Sequence, residues 1–343
     1  MSKVFIIAEA GVNHNGNEAM ALELVDIAAR CGADAVKFQT FSADKLVARG
    51  TAKAAYQSRA TGDGDQYAML KALELPFQTY KRLADRCVSL GIEFMSTPFD
   101  EEAVEMLLSL GMKRVKVPSG EITNLPFLRY LAARRAPLIL STGMAFMHEI
   151  QSAVAIVHET WKELGCDFGS DALVVLHCTS NYPAEFSDVN LRAMQSIREQ
   201  CCTLVGYSDH TRGIAASTAA VALGAVVIEK HFTIDKSLPG PDHSASLVET
   251  ELAAMVQSVR AVEACLGSAE KQPSESEMPI RALVRRSVTL VNDSSAGTVL
   301  THKNLTLLRP GTGIAPADID TVAGRQLKRN LKAGTTLHWS DLI

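Results

Sequence analysis

At 343 residues and 36.9 kDa the chain is too long for one small domain and short for three. A composition of 47% hydrophobic and 21% charged residues buries a sizeable core, which excludes a disordered tail protein or a collagen-like repeat. The net charge of −4 and the lack of any Lys/Arg block argue against a general nucleic-acid binder, while seven scattered cysteines without a CxxC pair point to a reducing, cytoplasmic setting.

The apolar run before Glu9 is too short for a secretory core segment, and no stretch of ~18 apolar residues offers a membrane span. Short β-rich runs then recur at 4–10, 35–41, 93–99, 114–120, 137–143, 173–180, 204–210 and 226–233. Between them apolar residues fall at three- and four-residue spacing, as in Met20, Leu24 and Ile27, or Ala103, Met106 and Leu107. Strands alternating with helical segments imply parallel βα units. Eight such units in roughly 265 residues predict an α/β protein with a (β/α)8 TIM barrel. An open doubly wound sheet is the alternative, weakened because no GxGxxG follows the first strand.

One interval is irregular. Residues 42–66, rich in Ala, Gly, Asp, Lys and Arg, read as a long loop at the barrel mouth. Composition shifts again at Gly267, so 1–267 is the expected barrel and 268–280 a solvated linker. Residues 281–343 read as a small β-rich domain with a weak internal repeat. Ala296-Gly-Thr-Val-Leu-Thr-His-Lys-Asn-Leu305 resembles Ala333-Gly-Thr-Thr-Leu-His-Trp-Ser-Asp-Leu342, each copy placing a tight turn, a short strand and a helical start.

Residues two apart on a strand share a face, and barrel enzymes draw their catalytic groups from the C-terminal ends of several strands. Nearly every run here ends in polar residues. They are Glu9; Lys37 and Gln39; Ser96 and Thr97; Lys116, Ser119 and Glu121; Ser141 and Thr142; Ser180, Asn181 and Tyr182; Ser208 and His210; Glu229 and His231. A single lysine in a strand is more often paired or snorkelling than catalytic. Two lysines on separate strands beside Ser and Thr favour an anion site, since phosphate and carboxylate need fixed cations and hydroxyl donors. A lone histidine is more often a satisfied core residue, but His210 and His231 end adjacent strands beside Glu229, which suits a divalent ion that keeps several waters. His14 and Asn15 are read equally as a turn or as site residues, and Asp242 follows a rigid Pro-Gly-Pro turn over the barrel mouth.

These segments carry a resemblance. Glu9-Ala-Gly-Val-Asn-His-Asn-Gly16, Val36-Lys-Phe-Gln-Thr40, Ser96-Thr-Pro-Phe99, Lys116-Val-Pro-Ser-Gly-Glu121, Gly206-Tyr-Ser-Asp-His-Thr211, Glu229-Lys-His-Phe-Thr233 and Gly240-Pro-Asp-His243 resemble the sialic acid synthase family. Leu308-Arg-Pro-Gly-Thr-Gly313 resembles the signature of that family's C-terminal antifreeze-like (β-clip) domain, and the likeness covers essentially the whole chain in order. It implies condensation of phosphoenolpyruvate with an N-acetylated hexosamine to a nine-carbon 2-keto acid, with release of phosphate. The product would be N-acetylneuraminate, with N,N′-diacetyllegionaminate, from a diacetylated 6-deoxy sugar, as the alternative.

By the same resemblance, Lys37, Thr97, Lys116, Ser119, Ser141 and Ser208 would hold phosphoenolpyruvate. His210 and His231 would ligate Mn²⁺ or Mg²⁺, with Glu229 holding a metal-bound water. Gln39, Glu121, Tyr182 and Asp242 would contact the sugar, Glu9 or Glu121 would handle protons, and Arg309 would reach the sugar in the partner's barrel of a swapped homodimer. Many members carry Asn where this chain has Ser180. The enzyme rival is a Schiff-base aldolase using Lys37 or Lys116 without a metal, which the paired histidines oppose. The non-enzyme rival is an ice- or glycan-binding tail on an inert barrel, which the polar strand ends oppose.

Overall fold

Strand and helix alternate through residue 266 because the apolar period switches between two and about 3.6. The computed structural model describes residues 3–166, 168–169 and 172–343. It divides into two compact units, Met1–Gly267 and Ser268–Ile343, taken here one at a time.

The first unit opens with β1 (Phe5–Gly11), α1 (Glu18–Arg30) and β2 (Ala35–Thr40). Three short helices follow, α2 (Ala43–Leu46), α3 (Ala55–Thr61) and α4 (Gln66–Leu73), and then α5 (Phe77–Leu90). Next come β3 (Glu93–Pro98), α6 (Glu101–Ser109), β4 (Val115–Val117), α7 (Leu125–Ala133), β5 (Leu138–Ser141) and α8 (Met147–Glu163). The unit ends with β6 (Leu173–Cys178), α9 (Ala193–Cys201), β7 (Leu204–Asp209), α10 (Ala215–Ala222), β8 (Val227–His231) and α11 (Glu249–Leu266). Side-chain caps start several helices: Asn17 accepts from the Met20 amide at 3.1 Å, and Asp100 from the Ala103 amide at 2.9 Å.

The eight strands are parallel, in the order β3-β2-β1-β8-β7-β6-β5-β4, and β3 also lies against β4 to bring the sheet's ends together. This is the TIM-like barrel expected from the sequence. Its strands are shorter than several of the predicted runs, because the chain turns out of the sheet as soon as the polar ends are reached. Residues 42–66 depart from the expected loop. The segment contains all of α2 and α3 and the start of α4, helices too short to impose a visible period.

Two cores flank the strands. Outward residues such as Ile6, Ala8, Val36, Phe38, Val115 and Val117 pack against the helices. Inside, Ile7, Ala35, Met95, Ile139, Val174, Leu176 and Val227 form an apolar plug. The next inward position, two residues on, is Glu9, Lys37, Thr97, Ser141, Cys178 or Glu229 on six of the strands. The barrel is thus filled below and polar above.

Asp34, just before β2, ties the barrel's entry to its last helix. It accepts from the Ile6 amide at 2.9 Å, from Arg260 at 2.6 Å and from Lys3 at 2.5 Å. Burial alone would raise its carboxyl, but these donors outweigh it and hold the group below its ordinary 3.8. Because the folded value is the lower one, the carboxylate's contribution is complete above the unfolded value and is lost as pH falls through the folded one. Asp34→Asn should therefore cost about 1.5–3 kcal/mol near neutral pH, with the gap to wild type closing as pH falls below about 4. Urea melts across that range check it; a gap that does not change with pH would show that the charge is not what matters.

In the second unit α12 (Glu277–Val284) crosses the 280/281 boundary suggested by composition. Its first residue reaches back: the Glu277 carboxylate accepts from the Ser274 amide at 2.8 Å. Then β9 (Ser287–Leu290) and β10 (Leu305–Leu308) pair antiparallel, and α13 (Ile319–Val322) follows. The repeat is structural. Gly297 and Gly334 have φ of 82° and 78°, the left-handed region in which a β-carbon is strained. Each is followed by a buried leucine, Leu300 and Leu337, a 3₁₀ turn, and a second buried leucine, Leu305 and Leu342. Those four leucines join Val288, Leu290, Ile314, Val322, Leu327 and Leu331 in the unit's core.

Candidate active site at the C-terminal end of the barrel

A cavity of about 500 Å³ opens over the polar strand ends. That volume suits two small substrates held together. Its lining includes Glu9, Lys37, Gln39, Thr97, Lys116, Ser119, Ser141, Tyr182, Ser208, His210, His231 and Asp242.

The floor is a buried charge cluster. Lys37 Nζ lies 2.7 Å from Glu9 Oε2, 3.6 Å from Glu229 Oε2 and donates to Thr97 Oγ1 at 2.9 Å. Lys116 Nζ is 3.6 Å from Glu229 Oε1, and Ser208 Oγ donates to that oxygen at 2.8 Å. Burial pushes the Glu9 carboxyl up, to about 7, against the pull of Lys37 and with the help of the Glu229 charge. Glu229 is held down, at about 2, because Lys116, Lys37 and Ser208 outweigh its burial. Burial likewise disfavours charge on Lys37, but Glu229 and Glu9 raise it overall, whereas burial leaves Lys116 lowered. A floor with two lysines, one firm carboxylate and one carboxyl that can hold a proton is poised to receive an anion.

Beside the floor stand two imidazoles. Burial lowers His210 to about 4 and, with His210 nearby, lowers His231 well below its ordinary value. Both rings are therefore neutral. His210 Nδ1 donates to the Thr179 carbonyl at 2.6 Å, which leaves Nε2 with its lone pair. His231 Nδ1 is buried with no hydrogen-bond partner among the described residues, 4.0 Å from Asp242 Oδ2. An orphaned ring nitrogen next to a second free imidazole lone pair fits a divalent cation. Among the described residues no group of three or more His, Cys, Asp or Glu converges on one such point. Gly11 makes the room: its φ is 52°, and a β-carbon there would lie 3.2 Å from His231 Cε1.

Tyr182 packs on His210 with ring centroids 4.1 Å apart and meets His231 edge-on at 5.6 Å. Gln39 Nε2 donates to Glu9 Oε1 at 3.3 Å. Burial raises the Asp242 carboxyl to about 6. Ser119 Oγ accepts from the Gly143 amide at 2.9 Å, and Ser180 lines the wall beside them. His14 and Asn15 lie off the cavity, in a hydrogen-bonded turn where Asn15 Nδ2 donates to the Pro239 carbonyl at 2.8 Å.

Two sequence-predicted residues stand apart. Glu121 does not line the cavity: it ends a 3₁₀ turn, and its Oε2 accepts from Asn124 Nδ2 at 2.6 Å. That turn places Ser119 in the cavity wall and leaves Glu121 outside it. Arg309, directly after β10, is an exposed side chain of the second unit. Tyr56, Gln57, Gln66, Met69, Leu70 and Leu73, not expected from the sequence, also line the cavity. Tyr56 packs against Tyr182 with ring centroids 5.2 Å apart and the planes tilted by 35°. The one available signal was the spacing of Gln66, Met69, Leu70 and Leu73, which puts them on one face of a helix.

Residues 24–271 match the NeuB family and residues 285–343 match the SAF domain. The chain is 55% identical over 98% of its length to an N,N′-diacetyllegionaminic acid synthase of Legionella pneumophila, 94% of which is covered. It is 44% identical to a Campylobacter jejuni protein of the same name over 97% of this chain and 98% of that one. Among solved structures, the N-acetylneuraminic acid (sialic acid) synthetase of Leptospira borgpetersenii, in complex with citrate, superposes with a TM-score of 0.70 at 33% identity, covering 81% of this chain and 90% of that one. A charged barrel floor, a paired imidazole site and family likeness along nearly the whole chain lead to one conclusion: the protein belongs to the NeuB family, and is a transferase that forms a carbon–carbon bond from phosphoenolpyruvate.

Proposed function

We propose that the chain condenses phosphoenolpyruvate with a 2,4-diacetamido-6-deoxy aldose and water, giving N,N′-diacetyllegionaminate and inorganic phosphate. This replaces N-acetylneuraminate as the leading product. The likeness to two diacetyllegionaminic acid synthases, at 55% and 44% identity, favours it. The chemistry rests on one observation: two buried lysines and the hydroxyls of Thr97, Ser141 and Ser208 share the barrel floor with two neutral imidazoles.

Lys37 and Lys116 hold the phosphate and carboxylate of phosphoenolpyruvate, with Thr97, Ser119 and Ser141 donating to the same oxygens and Ser208 joining them when its hydroxyl turns from Glu229. His210 and His231 are the residues that would hold a Mn²⁺ or Mg²⁺ ion, which when bound supplies Lewis-acid polarisation of the aldehyde oxygen. Tyr182, Gln39 and Asp242 orient the open-chain sugar so that its C1 faces C3 of the enol. The C3–C1 bond forms as the enol π pair leaves C2 and the aldehyde π pair moves onto its own oxygen, which takes a proton to become a hydroxyl. Water adds its oxygen to C2, and the C2–O bond to phosphate breaks as the new C2 hydroxyl becomes the keto group and gives its remaining proton to the departing phosphate. Glu9, beside Lys37 and able to change protonation near neutral pH, takes the proton that water loses. Phosphate release from phosphoenolpyruvate with a panel of acetylated hexosamines tests the proposal. Release with the diacetamido aldose well above that with N-acetylmannosamine is expected; the reverse order would return the assignment to N-acetylneuraminate.

We also propose that the enzyme works as a homodimer in which Arg309 of one chain meets the sugar bound by its partner. Residues 268–276 carry no helix or strand, and a chain of that length reaches up to ~30 Å when extended. An exposed guanidinium suits an acyl oxygen of the acceptor. Mixing inactive Arg309→Ala with inactive Glu9→Ala should restore about a quarter of the wild-type sites if subunits exchange freely and pair at random. No recovery after verified exchange would mean the arginine does not act in trans.

A further inference from the structure

Helix α4 has an apolar stripe that packs on no core. Gln66, Met69, Leu70 and Leu73 stand at i, i+3, i+4 and i+7, one face of the helix. The three apolar residues of that face belong to neither core of the barrel unit. All four line the catalytic cavity. The opposite face is tied down by polar contacts: Tyr67 donates to Asp44 at 2.7 Å, and Lys71 pairs with Asp44 and Glu74 at 3.0 Å each. From α3, Tyr56 packs at a tilt against Tyr182, which packs in turn on His210. The wall is therefore anchored on one side and joined to the reactive end of the site on the other.

The cavity has two chemistries. Its floor is charged and hydroxylated, as phosphoenolpyruvate requires. The wall from α3 and α4 is apolar, with the side-chain amides of Gln57 and Gln66 set into it. Resting on the acceptor reading above, we infer that this wall selects the acceptor. Met69, Leu70 and Leu73 receive the C6 methyl and the second acetamido methyl, and Gln57 and Gln66 face the amide groups. A sugar such as N-acetylmannosamine presents hydroxyls at both places. The C6 hydroxyl would lose water against the carbon of Met69, Leu70 and Leu73 without gaining a partner, and a C4 hydroxyl would leave the apolar surface that takes the second acetamido methyl unfilled. The same wall that binds methyl groups thus disfavours hydroxyls.

The test is the ratio of kcat/KM for the 2,4-diacetamido-6-deoxy aldose to that for N-acetylmannosamine, both measured on one preparation so that any unfolded fraction cancels. Wild type should favour the diacetamido sugar by roughly a hundredfold. In Met69→Gln/Leu70→Gln the ratio should fall by about tenfold or more, and in Met69→Leu/Leu70→Met it should stay near wild type. A ratio within about fivefold of wild type in the glutamine double variant overturns the inference while leaving the acceptor assignment intact. A wild type that prefers N-acetylmannosamine instead overturns the acceptor assignment, whatever the variants do.

Discussion

Replacing His210 or His231 with alanine should reduce metal-dependent turnover by roughly a thousandfold, the scale of a lost Lewis acid. Burial keeps both rings neutral, and a neutral imidazole is the form that ligates. His210 has its Nδ1 committed to the Thr179 carbonyl at 2.6 Å, so the ring cannot turn to serve another role. With one imidazole gone, a single protein nitrogen remains for an ion that must compete with bulk water. Dialysis against a chelator followed by titration of Mn²⁺ or Mg²⁺ checks this in wild type and both variants. Calorimetry with the metal alone separates weaker ion binding from slower chemistry. Full turnover in either variant, or in exhaustively chelated wild type, would remove the metal from the mechanism.

Lys37→Met should do two kinds of damage. The lysine is almost fully buried and neutralises Glu9 at 2.7 Å and Glu229 at 3.6 Å. Without it, the buried Glu9 loses its one close cation and Glu229 is left with Lys116 alone, which costs about 3–5 kcal/mol of stability. The same change should also remove the charge-assisted contact proposed for phosphoenolpyruvate and weaken its binding by roughly ten- to a hundredfold. Lys116→Met provides the contrast. Its nearest carboxylate oxygen is 3.6 Å away, and its one hydrogen bond, to the Val117 carbonyl, is 3.4 Å long. It should lose similar affinity for phosphoenolpyruvate with a smaller loss of stability. Thermal melts and phosphoenolpyruvate titrations of the two variants distinguish the effects; unchanged affinity in either would make that lysine a structural residue.

The barrel was legible because its rules are local. Side-chain alternation along Ile7 and Glu9, Ala35 and Lys37, and Val227 and Glu229 can be counted directly, and it places apolar plug and polar floor on the same inward line. The repeat in the second unit was visible for the same reason: a glycine at a left-handed turn and leucines at set distances after it recur in order. Parallel strands joined by helices leave few topologies, so residues from eight separate runs could be expected at one end of one barrel.

Three outcomes needed the tertiary structure. Glu121 reads like its neighbour Ser119, but the 3₁₀ turn that carries both is not written in any period, and it sends the carboxylate to Asn124. Glu9 and Glu229 are the same residue type on adjacent strands, yet burial raises one and two lysines hold down the other. That difference depends on distances across the barrel, which no spacing along the chain contains. The stripe on α4 follows helical spacing like any core-facing helix, and only the folded chain decides that it faces a cavity. The sequence determined which residues are apolar, which are charged, and which share a face. Long-range packing decided what each face meets, because desolvation and Coulomb energy depend on neighbours in space.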